Sequence, residues 1–287
     1  MAGPELRIGI TCRNDRDALE LCLGSIARTT ADTELEVIVV DHESRDGSAD
    51  LAAGASARVL VRPWNQTESI NYLVGSSRAK YTLLLHSDVV LLEDGWFPHL
   101  VRRLEGNVAL VSPDDSGVGA HMRKAYGSGH PESSFMLWRT ALVRTIRRVH
   151  PSEFPRRARV RLPLMRTLDL YNLHLTHQLA SDLARQGLSW TAMTVLPSPR
   201  TTGWYHHAVP EGACWDPEWA TLEYGFGNFY ALEGRITHYH QWLTRFSDHD
   251  LDLLNDDGFP IRFLTEAAAR FRADYLSGSV KIPHLSQ

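Results

Sequence analysis

The stretch Tyr81-Thr82-Leu83-Leu84-Leu85-His86-Ser87-Asp88 decides the fold class. Its first five residues are aromatic, β-branched or aliphatic without a polar alternation. That pattern predicts a strand covered on both faces, as in a parallel sheet. The run ends on a carboxylate. Val37-Ile38-Val39-Val40-Asp41 repeats the pattern. In α/β sheets the ligand crevice lies outside the C-terminal ends of the strands, so Asp41 and Asp88 are both expected there. Two such carboxylates, one for a base and one for a metal, suggest a nucleotide-binding enzyme.

Working outward, Leu6-Arg7-Ile8-Gly9-Ile10 alternates and predicts a first strand. Asp17-Ala18-Leu19-Glu20 has a capping-box pattern, and Leu19, Cys22, Leu23 and Ile26 form one helical face. Arg58–Val61 predicts a third strand. Ser69 is the expected cap of a helix carrying Ile70, Leu73 and Val74. Trp96, Phe97, Leu100 and Leu104 predict a short helix, and Val108–Val111 a fifth strand. Alternating strands and helices predict an α/β fold, a mixed, mostly parallel sheet flanked by helices with right-handed crossovers. No G-x-G-x-x-G follows the first strand and no G-x-x-x-x-G-K-[ST] occurs, which argues against a dinucleotide-type site and a P-loop.

Composition narrows the classes. Lys+Arg is 30 and Asp+Glu 34, for a formal net charge of −4, so no broad basic surface for nucleic acid is expected. No run approaches the roughly 18 apolar residues of a membrane span. Met1-Ala2-Gly3-Pro4-Glu5 has no signal-peptide character. Cys12, Cys22 and Cys214 show no metal-like spacing and read as reduced thiols of a cytoplasmic protein.

The ordered motifs resemble those of the family 2 glycosyltransferases, whose fold is the GT-A class. The family pattern has a first strand ending near a Thr, here Thr11. A strand ending V-V-D-x-x-S-x-D-G-[ST] follows, here Val39-Val40-Asp41-His42-Glu43-Ser44-Arg45-Asp46-Gly47-Ser48. Asn71 matches an Asn in the following helix, and His86-Ser87-Asp88 stands where the family has D-x-D. The likeness covers residues 6–112 in good register and continues more loosely to about residue 207. It implies three parts: a nucleotide-sugar-binding subdomain (1–112), an acceptor-binding subdomain (113–207) and an aromatic-rich helical extension (208–287).

The resemblance also implies roles. Asp41 would accept a hydrogen bond from a base N–H, with Thr11, Arg13, Asn71 and Ser87 contributing to the nucleotide site. Capping of the next helix is the plainer role for Asp41 and Ser44, and Asp46-Gly47 reads as a turn and cap. Asp88 would hold a divalent cation, Mn²⁺ or Mg²⁺, on the donor diphosphate. His86 would be a metal neighbour or touch the donor ribose, and its imidazole shifts preference toward Mn²⁺. A further histidine ligand is expected on the C-terminal side, at His206 or His207.

Residues 113–135 carry four glycines and two prolines and read as a long binding loop. They run into Glu132-Ser133-Ser134-Phe135-Met136-Leu137-Trp138-Arg139, which resembles the family's G-x-F-M-x-x-R-R acceptor floor with Ser in place of Gly. The arginines between Arg144 and Arg166 read as a solvated linker. Asp169–Gln186 predicts a helix with Gly187 as its stop. In inverting members an acidic base lies near that helix; here the candidates are Asp169, then His177, then Glu132. The activity the resemblance implies is metal-assisted transfer from a UDP- or dTDP-sugar to a soluble small-molecule or glycan acceptor, with inversion at the anomeric carbon. A homo-oligomer is left open. Two alternatives stand beside it. A nucleotidyltransferase needs a Gly-rich, Lys-bearing loop that Thr11-Cys12-Arg13-Asn14-Asp15 does not supply. A degenerate member would bind nucleotide sugar or glycan without turnover.

Overall fold

The computed structural model describes residues 3–113, 131–143, 176, 179–197, 224, 227–241 and 261–281. The strands are β1 (Leu6–Cys12), β2 (Leu35–Asp41), β3 (Arg58–Val61), β4 (Tyr81–His86), β5 (Val89–Leu91), β6 (Val108–Pro113), β7 (Phe135–Arg139), β8 (Ser189–Pro197), β9 (Gly227–Leu232) and β10 (Arg235–Gln241). The helices are α1 (Arg16–Thr29), α2 (Ser48–Gly54), α3 (Gln66–Gly75), α4 (Trp96–Val101), α5 (Leu179–Arg185) and α6 (Ile261–Ser277). Among the described residues the strands form one ten-stranded sheet in the order β3-β2-β1-β4-β7-β6-β8-β9-β10-β5.

The α/β class stands, but the proportion of parallel strands is corrected. The β1–β2, β1–β4, β2–β3 and β6–β8 ladders are parallel. The β4–β7, β6–β7, β8–β9, β9–β10 and β5–β10 ladders are antiparallel. An apolar run shows that a strand is covered, not which way it runs. The segment read as a helical extension, 208–287, supplies β9 and β10 as well as α6. Glu233 and Gly234 join those two strands with φ of +51° and +77°, the left-handed pair of a two-residue hairpin.

Both faces of the sheet are covered, as the continuous apolar strands require. Leu83 and Leu85 pack with Ile8, Ile10, Val39, the α1 face Leu19, Cys22, Leu23 and Ile26, and Trp96 of α4. Leu84 points the other way, to Ile38, Val40, the α3 residues Ile70, Leu73 and Val74, and Leu179 and Leu183 of α5. Two helix starts differ from the sequence reading. α1 begins at Arg16, so Asp17 lies within its first turn. Asn65, not Ser69, caps α3, in a capping box with Glu68. Ser69 lies one turn inside, where its hydroxyl donates to the Asn65 carbonyl at 3.0 Å. Asp46 forms the expected turn, while Gly47 is the N-cap of α2. Asp46 Oδ1 accepts from the Ser48 amide, and its Oδ2 accepts from the Arg16 amide that opens α1.

Gly9 lets α3 lie directly on β1. A Cβ there would stand 2.8 Å from both δ-carbons of Leu73, itself fully buried. Gly9→Ala is therefore expected to destabilise the fold by about 1–3 kcal/mol through overpacking. In a Leu73→Ala background the same change should cost less, and urea unfolding of the four proteins measures that coupling. Equal costs in both backgrounds would show that Leu73 is not the obstacle.

Candidate functional site

The site is built on the C-terminal ends of three neighbouring parallel strands. β1 lies between β2 and β4, pairing Cys12 with Asp41 and Thr11 with His86. Asp41 and Asp88 thus sit on one edge of the sheet. Two strand spacings, about 10 Å, separate the tips of β2 and β4. Thr11 is buried at the end of β1, and Arg13 is exposed just beyond it. Asn71 is half-buried on α3.

Asp41 is fully buried. Its Oδ1 accepts the Ser44 amide at 2.8 Å, which fixes the turn after β2; the next helix is capped at Gly47 and not by Asp41 or Ser44. Its Oδ2 is also buried and has no hydrogen-bond partner among the described residues. A buried carboxylate oxygen left in this way costs stability unless a donor reaches it. The arrangement suits a ligand N–H. The backbone around it is pinned: the Arg62 amide donates to the Asp41 carbonyl at 2.9 Å and the His42 amide to the Cys12 carbonyl at 2.8 Å.

The second end of the site gathers His86, Asp88 and a residue the sequence reading missed, His240. One potential ligand atom from each lies within 4.8 Å of the others. His86 and Asp88 are half-buried and His240 is buried. His240 reaches the site because β10 runs antiparallel to β5, with His240 opposite Val89. The Gln241 amide extends that ladder to the Asp88 carbonyl at 3.0 Å. His240 Nε2 lies 3.2 Å from Asp88 Oδ1, and its Nδ1 lies 3.6 Å from Glu132 Oε1. Burial opposes charge on this ring, but the Asp88 carboxylate, and after it Glu132 and Asp15, outweigh burial and hold its pKa above the usual imidazole value. His86 Nε2 is 2.8 Å from the Gln66 side-chain amide and 3.4 Å from the Ser133 hydroxyl. The T-shaped His86 and His240 rings are 5.7 Å apart.

Two imidazoles and a carboxylate are a donor set for a divalent transition ion. The three candidate ligand atoms lie within 4.8 Å of one another, so one cation could be shared among them once the side chains draw in around it. The residues present therefore fit such an ion.

Ser87 is the member of the triplet that the fold turns inward. It is 1% exposed, and its hydroxyl donates to Asp15 Oδ2 at 2.6 Å. It locks the β4 tip to the start of α1. Glu132 is buried beside His240. Asp169, His177, His206 and His207 lie outside the described residues. The signal for His240 was present in Thr237-His238-Tyr239-His240-Gln241, where the histidines alternate on one strand face. His238 shows what the other one does. Its ring stacks between Phe135 at 4.1 Å and Tyr230 at 4.6 Å, and burial, with His240 next, pushes its pKa well below the usual value.

Comparison with known proteins bears on this edge of the sheet. Residues 8–155, just over half the chain, match the family model described as Glycosyl transferase family 2. No curated protein matches the sequence. Among solved structures, glucosyl-3-phosphoglycerate synthase from Mycobacterium tuberculosis, in complex with Mn²⁺, UDP and glucosyl-3-phosphoglycerate, is similar at 20% identity and a TM-score of 0.40. The match covers 49% of this chain and 58% of that one. Mannosyl-3-phosphoglycerate synthase from Rubrobacter xylanophilus is similar at 18% identity and a TM-score of 0.40, covering 48% and 54%. The chain thus spans less than two thirds of either protein. Among the described residues no helix is long and apolar enough to cross a membrane.

Proposed function

The chain belongs to glycosyl transferase family 2, and from this premise we propose that it moves a sugar from a nucleoside-diphosphate donor, UDP- or dTDP-linked, to a hydroxyl of a small-molecule or glycan acceptor, inverting the anomeric carbon. One observation carries the reading. A buried carboxylate oxygen of Asp41 and the His86–Asp88–His240 cluster occupy one edge of the sheet, beyond the tips of β2 and β4, which stand about 10 Å apart by strand spacing. That is the reach from a pyrimidine ring to its diphosphate.

In this reading Asp41 Oδ2 accepts a base N–H, with Thr11 and Arg13 beside it and Asn71 on the helix above. His86, Asp88 and His240 hold Mn²⁺ or Mg²⁺. His240 is the C-terminal-side histidine, in preference to His206 or His207. A bound cation supplies positive charge to the departing diphosphate. The two imidazoles favour Mn²⁺ over Mg²⁺. Asp169 and His177 are the candidates for the base that takes the acceptor proton.

The test is nucleotide release from UDP- and dTDP-sugars, with and without acceptor hydroxyl compounds. Chelation by EDTA is expected to lower turnover about a hundredfold or more, with Mn²⁺ restoring more than Mg²⁺. Turnover indifferent to EDTA would remove the cation from the reading. Saturable donor binding without nucleotide release, with every acceptor class, would make the protein a nucleotide-sugar binder.

A further inference from the structure

Glu132 stood third among the candidates for the base, yet the fold gives it other work. It is 8% exposed. Its backbone is pinned to the end of β6: the amide donates to the Pro113 carbonyl at 3.0 Å, and the carbonyl accepts the Ser112 hydroxyl at 3.1 Å. Its two carboxylate oxygens point in different directions. Oε2 accepts the Tyr230 hydroxyl at 3.0 Å, and Oε1 faces His240 Nδ1 at 3.6 Å. Tyr230 is 1% exposed on β9, its ring held flat against His238. The line Tyr230–Glu132–His240–Asp88 therefore ties β9, the β7 entry, β10 and the β4–β5 turn into one rigid frame.

Its chemistry is that of a supported metal ligand. A metal-bound imidazole gives its other ring N–H to a carboxylate, which fixes the tautomer and raises ligand basicity. His240 presents Nε2 to Asp88 and Nδ1 to Glu132. We propose that Glu132, aimed by Tyr230, is a positioning residue for His240: from its present ion-pair distance of 3.6 Å it draws the Nδ1–H toward itself and leaves the Nε2 lone pair for the cation. The inference rests on the cation reading above. It removes Glu132 from the proton-transfer step, because both carboxylate oxygens face inward partners.

Mn²⁺ binding to the full chain tests it, read from the loss of the free-ion EPR signal, with Mn²⁺ alone and with UDP added. Glu132→Leu should weaken Mn²⁺ about 10–100-fold. Glu132→Gln should lose less, since its amide oxygen still accepts an N–H. Tyr230→Phe should weaken Mn²⁺ in the same direction by a smaller factor. Asp88→Asn serves as the control for the cation reading itself. If Asp88→Asn retains wild-type Mn²⁺ affinity, the cation is not held here and both readings fall. If Asp88→Asn loses Mn²⁺ while Glu132→Leu and Tyr230→Phe bind within twofold of wild type, the cation reading survives and the positioning role is overturned. Should thermal melting show that Glu132→Leu does not fold, Glu132→Gln and Tyr230→Phe decide, and unchanged affinity in both overturns the proposal.

Discussion

Asp88→Asn is expected to lower turnover about 10²–10³-fold while leaving the fold intact. The figure comes from the several kcal/mol of charge stabilisation that a cation gives a leaving group, at about 1.4 kcal/mol per tenfold. The substitution keeps shape and removes charge. Asp88 is the only carboxylate among the cluster's three ligand residues, so its loss leaves two neutral donors for a hard cation. The backbone would not notice, since the Asp88 carbonyl that accepts the Gln241 amide is unchanged. Turnover at saturating donor, a Mn²⁺ titration and a thermal melt together check the expectation. Turnover within a fewfold of wild type, with a normal melt, would show that Asp88 holds no cation in the reaction.

Asp41→Asn should act on a different parameter. A hydrogen bond to a charged group is worth about 1.5–3 kcal/mol, so donor binding should weaken about 10–100-fold, with a smaller effect on kcat. The variant can keep its oxygen on the Ser44 amide. It then places an NH₂ where Oδ2 was, facing a base N–H donor to donor. The same change removes a buried negative charge whose Oδ2 has no hydrogen-bond partner among the described residues. Its melting temperature is therefore expected to hold or rise while donor affinity falls. A melt that drops with unchanged donor binding would leave Asp41 only its structural role in the turn to Ser44.

The N-terminal half was legible because its signals are local and redundant. A run such as Val37–Val40 reports burial on two faces, the loop after it reports a turn, and the order of motifs reports the sheet edge. Asp41 and Asp88 were placed at that edge in this way. The cap of α3 was missed because Ser69 and Asn65 are both good caps, and only Asn65 has Glu68 three residues on. His240 was hidden for another reason. Its partner Asp88 is far away in sequence, and the link between them is an antiparallel ladder that no local periodicity announces. Glu132 was visible as an acid, but its surroundings, Tyr230 and His240, come from strands distant in the chain.

The ladder that carries His240 to Asp88 sets an order of events. Contacts at such separation must close a long stretch of flexible chain before they gain anything, so they form late. The end of the site at Asp41 needs only β1, β2 and their near neighbours, whereas the cluster at Asp88 waits for β10. On the proposed function, a folding chain therefore gains its nucleotide-facing pocket before it can grip an ion, and refolding followed by Mn²⁺ capture should lag behind refolding followed by binding of a fluorophore-labelled nucleotide.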